Sequence, residues 1–115
     1  MLDCINMTGR ELRAWANDER HALTGEKGAV GRLSLQRIIR GEHLHSQTFA
    51  AKVRAFYRRH SLGRPLFGKP LGASGFSARH IALLNWGHDP TKPTSPLYAA
   101  DRQWLQRWPD QAAYR

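Results

Sequence analysis

His88 and Asp89 are the residues whose types most directly invite chemistry, because a carboxylate can orient an imidazole as a general base. As chain neighbours they rarely face each other in the geometry that role demands. The flanking Gly87 and Pro90 explain the pair as a helix stop, so it is expected to be structural. His43 and His45 could place two imidazoles on one side of an extended turn, yet a closed zinc site needs four ligands and Cys4 is the only thiolate. No metal and no cofactor are therefore expected. His60 falls on an apolar helix face and reads as a packed residue. Trp15, Trp86, Trp104 and Trp108 could stack on exposed bases, but their apolar-face spacing assigns them to the core. Phe67 and Phe76, beside Lys69 and Arg79, are better placed to stack, although the balance is against them too. The stretch GKPLGASG lacks the order of a phosphate-binding glycine loop, and no Gly-x-Ser-x-Gly elbow occurs. No enzymatic activity is expected.

The charge is more informative. The chain carries a formal +9, and 14 of its 18 basic residues are arginine, whose planar fork suits phosphate better than a lysine point charge. From Lys27 to Arg79 eleven bases face the single acid Glu42, a net of +10, while the remainder holds seven bases and eight acids, a net of −1. A solvated surface usually mixes its signs, so this block points to a polyanion.

The element that presents much of that charge is a helix over Ser46 to His60. At 100° per residue Phe49, Val53, Phe56, Tyr57 and His60 form one buried stripe; Arg54 and Arg58 point the opposite way, with Lys52 and Arg59 on the flanks. Ala51 and Ala55 on the outer face would let another backbone approach. Ahead of it, Thr8 to Glu11 has the spacing of a capping box, predicting a helix from Gly9 to about Asn17 that buries Leu12 and Trp15. Leu23 to Gly31, with three glycines in nine residues, reads as a loop. Arg32 to Arg40 is the second helix, with Leu35, Ile38 and Ile39 inward, Arg37 and Arg40 at its rim and Gly41 as its cap. Leu62 to Phe76 holds four glycines and two prolines and reads as irregular. Ser77 to Trp86 is the next helix, stopped at Gly87. Ser95-Pro96 opens a last one reaching about Arg107, with Trp104 and Trp108 inward.

The 115 residues make one domain, all-α, with four or five short helices and a Gly/Pro-rich loop. Its core spans 7–92, and 95–108 forms an additional helix. A single cysteine excludes an internal disulfide and fits a reducing cytoplasm. The amino terminus lacks the pattern of a signal peptide, and the longest apolar run, Ile81 to Leu84, is far short of a membrane span.

Two resemblances bear on function. Ser34 to Phe56 reads as helix, glycine turn, helix, and looks like the closing half of a repressor-type helix-turn-helix. Asn85-Trp86-Gly87-His88-Asp89-Pro90-x-Lys92, with Met7-Thr8-x-x-Glu11-Leu12-x-x-Trp15, resembles a family of short uncharacterised bacterial proteins whose members often carry a DNA-binding label. Arg37-Ile38-Ile39, Lys52-Val53, Tyr57-x-Arg59-His60 and Arg64-Pro65 fall in the family's order. The resemblance covers roughly Met7 to Lys92 and implies DNA binding without any catalytic residue. It also implies Met7 as the original start, with Met1 to Asn6 an added lead.

The resulting expectation is a small cytoplasmic nucleic-acid-binding protein, with duplex DNA as its leading partner. Its phosphate contacts are expected from Arg37, Arg40, Lys52, Arg54, Arg58, Arg59 and Arg64, with no evident set for base readout. The alternative is a phage or mobile-element accessory factor docking on an acidic protein surface. A third reading is a small basic ribonuclease-type toxin using His60, His80 or His88. No membrane partner is expected.

Overall fold

Thr8 begins the ordered helices as its sequence dictates: its side chain accepts from the Glu11 N–H at 3.2 Å, and Glu11 Oε1 accepts from the Thr8 N–H at 2.8 Å. The capping box starts α1, Gly9–Ala16, which buries Leu12 and Trp15. The computed structural model describes residues 3–22, 28–61 and 76–97. After α1, Asp18 turns the chain into a short 3-10 turn, Glu19–Ala22. The Asp18 carboxylate takes the Arg20 guanidinium at 2.6 Å, a bond that holds its carboxyl below the usual range.

The second helix, α2, is Ala29–Ile39, beginning three residues before the predicted Arg32. The glycines at 28 and 31 argued for a loop; instead Gly28 is the N-cap and Gly31 is buried inside the helix. A side chain at Gly31 would meet Asn85 Cβ at 3.3 Å and Trp86 Nε1 at 3.6 Å. The missing Cβ is what lets α2 lie against the helix that carries Asn85, which offsets the propensity cost of a helical glycine. Leu35 and Ile38 complete the inner face, as expected. Gly41 ends the helix in the left-handed region, φ 75°, and a 3-10 turn, Glu42–Leu44, follows.

Ser46 accepts from the Phe49 N–H at 3.1 Å and caps α3, Gln47–Ser61, the long basic helix of the chain. Ser77 does the same for His80 at the head of α4, Ala78–Asn85, which buries His80, Ile81, Leu83, Leu84 and Asn85. Pro96 and Leu97 begin the last expected helix; its remainder, with Trp104 and Trp108, lies outside the described residues, as does most of the Gly/Pro-rich stretch. The protein is all-α: four α-helices and two 3-10 turns, with no strand among the described residues.

The core has two aromatic nests. Trp86 stacks on Phe56 at 4.5 Å between ring centroids and faces Phe49 at 6.5 Å, joining α3 to the end of α4. Trp15 packs on Phe76 at 5.9 Å, and Phe76 stacks on His80 at 4.1 Å. Phe76 is thus wholly buried and is no platform for a nucleic-acid base. Arginines close both nests, Arg20 over Phe76 at 4.1 Å and Arg37 over Phe49 at 3.9 Å.

A polar clasp fastens residues 4–11 to residues 87–97. The Asn6 side chain donates to the Asp89 carbonyl at 2.9 Å and accepts from the Asp89 N–H at 2.6 Å. Lys92 Nζ donates to the Asn6 carbonyl at 2.6 Å and to Glu11 Oε1 at 2.7 Å. Burial pushes Glu11 upward, but the bonds from Lys92 and Thr8 outweigh it and hold the carboxyl below its ordinary value. Gly87, at φ 85°, makes the turn that brings these groups together.

Candidate nucleic-acid interface

The amphipathic pattern of α3 fixes where its charges stand. Phe49 and Val53 are buried with Phe56, while Lys52, Arg54, Arg58 and Arg59 are exposed. No acid pairs with these four cations among the described residues. By helical rotation Arg54 and Arg58 lie about 40° apart and Lys52 and Arg59 about 20° apart, the two pairs flanking an outer strip that contains Ala51 and Ala55. Ala51 is exposed and Ala55 half-buried. The strip is smooth and edged on both sides by cations, a form that suits the ridge of a phosphate backbone.

Arg37 and Arg40 differ from the four on α3. Arg37 gives a two-pronged bond to Glu42, Nε to Oε2 at 2.9 Å and Nη2 to Oε1 at 2.7 Å, with its guanidinium carbon over the Phe49 ring. Those bonds from Arg37, with a smaller contribution from Arg40, hold the Glu42 carboxyl below its usual range. Arg40 lies 3.8 Å from the same carboxylate and stays 65% exposed. The one acid of the basic block is therefore shared by two of the seven expected contacts, and Arg37 covers the core-facing side of α3 rather than extending its outer face. Arg64 lies outside the described residues. The pairing had a signal in sequence: Glu42 is alone in its block, five residues after Arg37 and across a glycine turn.

The histidines sort by burial. His88 is 2% exposed, with Nδ1 2.8 Å from the Cys4 carbonyl and Nε2 2.7 Å from Ser95 Oγ. A carbonyl only accepts, so Nδ1 carries the proton and Nε2 accepts from the serine hydroxyl. That hydroxyl oxygen in turn accepts from the Leu97 N–H at 3.2 Å. Asp89 Oδ1 accepts twice from Thr91, at 2.9 Å from its N–H and 2.6 Å from its hydroxyl, while both ring nitrogens of His88 are engaged elsewhere. The two neighbours are parts of the clasp, not an acid–base pair. His80 is fully buried and His60 stacks on Phe56 at 4.1 Å. Neither His80 nor His88 reaches the surface where an RNA hydroxyl would need it. Among the described residues no group of three or more His, Cys, Asp or Glu is arranged to hold a metal ion. None of the described helices is long and apolar enough to cross a membrane.

The Asn85-to-Lys92 signature also has a structural account. Asn85 Oδ1 accepts from Trp15 Nε1 at 2.7 Å, and its amide donates to the His21 carbonyl at 3.2 Å. Trp86 fills an aromatic nest, Gly87 turns the chain, and His88, Asp89 and Lys92 make the clasp. Each of these residues is used inside the fold. Whatever the domain binds, these residues act by holding α1, α2 and α4 in place beneath α3.

The geometry defines the class as a small all-α domain with a cationic helix on its surface. Comparison of the chain with family models, with curated proteins and with solved structures gives no match.

Proposed function

We propose that this chain is a non-enzymatic nucleic-acid-binding protein that grips duplex DNA by its phosphates through the outer face of α3. The observation that carries this reading is the exposure of Lys52, Arg54, Arg58 and Arg59 without an acidic neighbour among the described residues. Arg40, exposed at the end of α2 and partly compensated by Glu42, is a fifth cation, and Arg37 acts by anchoring the helix. From Gly28 to Ser61 seven bases face one acid, so the local field is strongly positive. The outer strip offers alanines where base readout needs amides or forked donors, so binding follows shape and charge more than sequence. A single cysteine fits action in the cytoplasm.

Fluorescence anisotropy of a labelled random duplex across a salt series tests the proposal. Four phosphate contacts give a log–log slope of about −3 to −4, and replacing Arg54, Arg58 and Arg59 by alanine reduces its magnitude by about 3. Absence of binding at low salt would defeat the reading.

One observation favours a second reading, docking on an acidic protein. Val30 and Leu33, one turn apart on α2, are 66% and 67% exposed and lie on the same side of that helix as Arg40. Displacement of labelled duplex by an acidic protein, with loss of that competition in Leu33→Asp, is the outcome this second reading requires.

A further inference from the structure

Where the Glu42–Leu44 turn meets the start of α3, a cleft of about 420 Å³ is lined by His43, Leu44, His45, Ser46, Gln47, Ala50 and Arg54. Its polar walls are two imidazoles, a hydroxyl, an amide and a guanidinium, and among the described residues no carboxylate lines it. The volume falls within the roughly 300–1,000 Å³ of small-molecule sites and exceeds what a phosphate group alone needs.

Each polar wall has a defined hydrogen-bonding sense. His43 Nδ1 is buried without a hydrogen-bond partner. With Nδ1 enclosed, Nε2 is the ring nitrogen left to meet a ligand, and it can do so as a donor. Burial, with the neighbouring His45 adding to it, pushes this ring below its ordinary pKa, so near neutrality it is a donor without charge. Ser46 Oγ uses a lone pair on the Phe49 N–H, which leaves its hydroxyl proton to give. Arg54 is exposed, has no acidic partner among the described residues, and carries the planar fork that matches phosphate oxygens. Leu44, 60% exposed, supplies an apolar surface beside these donors.

From this cleft we infer a second binding mode, which shares Arg54 with the outer strip of α3 and none of its other cations: it takes a nucleoside monophosphate group, the phosphorylated end of a nucleic-acid strand. The phosphate sits on Arg54 and His43 Nε2–H, and the sugar and base lie against Leu44. The inference rests on the nucleic-acid reading for its choice of a strand end over a free nucleotide. A terminal monoester presents three oxygens and close to two charges to converging donors. An internal diester of a stiff duplex presents less charge and cannot enter a concavity.

Histidine-ring NMR of the full chain tests this, with adenosine 5′-monophosphate, adenosine, and one short oligonucleotide with and without its 5′-phosphate as probes. The expected result is saturable movement of the His43 and His45 ring signals with the monophosphate and with the phosphorylated strand. Adenosine and the unphosphorylated strand should move these two rings only at concentrations at least about tenfold higher, and Arg54→Ala should weaken the monophosphate about tenfold. A doubly substituted Arg58→Ala, Arg59→Ala chain should lose duplex affinity and keep the cleft response. Equal responses to adenosine and its monophosphate overturn the proposal. So does silence of both rings toward the monophosphate; duplex binding that persists in that case leaves the α3 reading standing. A tighter response to the free nucleotide than to the phosphorylated strand overturns the strand-end assignment.

Discussion

His88 is a buried base held neutral by its surroundings. Burial pushes its pKa below the ordinary 6.5, against raising contributions from the Cys4 carbonyl bond and the Asp89 charge. The sign of the pH effect follows. Below the unfolded value the unfolded chain takes up a proton that the folded chain refuses, so stability is complete above about pH 6.5 and declines as pH falls toward the lower folded pKa. Thermal melts from pH 7.5 to 5 should therefore show a falling midpoint. His88→Asn, whose amide can still donate to the Cys4 carbonyl, should flatten that fall at some cost in stability. A wild-type midpoint independent of pH across this window would contradict the assignment. Asn85 makes a companion case that does not titrate. Removing its side chain strands the buried Trp15 N–H, so Asn85→Ala should cost about 2–3 kcal/mol by denaturant unfolding. Gly87 adds a backbone case: Gly87→Ala meets an unfavourable left-handed φ and brings a methyl to 3.3 Å from Ile5, for a loss of about 2 kcal/mol or more.

At the scale of elements, Gly31 decides how closely α2 approaches α4. Gly31→Ala removes a helix-propensity penalty of about 1 kcal/mol, yet sets a methyl 3.3 Å from Asn85 Cβ in a buried contact. Crowding should win, giving a destabilised chain in urea, whereas an alanine at exposed Gln36 of the same helix should be near neutral. This residue also explains where sequence reading stopped short. Helices α1, α3 and α4 were legible because each has a side-chain cap and an apolar stripe that declare its start and face. The start of α2 was not, since Gly28 caps it without a side chain and Gly31 inside it carries the same local signal as a loop. Only the partner surface of Asn85 and Trp86, more than fifty residues away, tells a packing glycine from a flexible one. The candidate site divided in the same way. Exposure of Lys52, Arg54, Arg58 and Arg59 follows from helical period alone. The capture of Arg37 by Glu42 and Phe49, and the cleft beside His43, needed the turn between α2 and α3 to be folded.

For the whole molecule the question is how a chain with a one-sign block stays folded and still leaves charge to use. Aromatic nests and the clasp between residues 4–11 and 87–97 hold the fold together, and among the described residues the four cations of the outer face of α3 enter no ion pair. Glu42 is the exception, a single acid that ties Arg37 to the turn and draws on Arg40. Glu42→Gln keeps the size and one acceptor but removes the charge. Arg40 would then be uncompensated, so duplex affinity should rise and the salt slope should steepen by about 1, the unit for one further phosphate contact. Loss of the Arg37 bond should also loosen the lid over Phe49, seen as a lower melting midpoint at the same pH. The two changes are expected together, with affinity up and stability down, because one carboxylate serves the fold at the expense of the surface field. If Glu42→Gln binds duplex no better, or with an unchanged salt slope, then Arg40 lies beyond the reach of the phosphates and the interface is confined to α3.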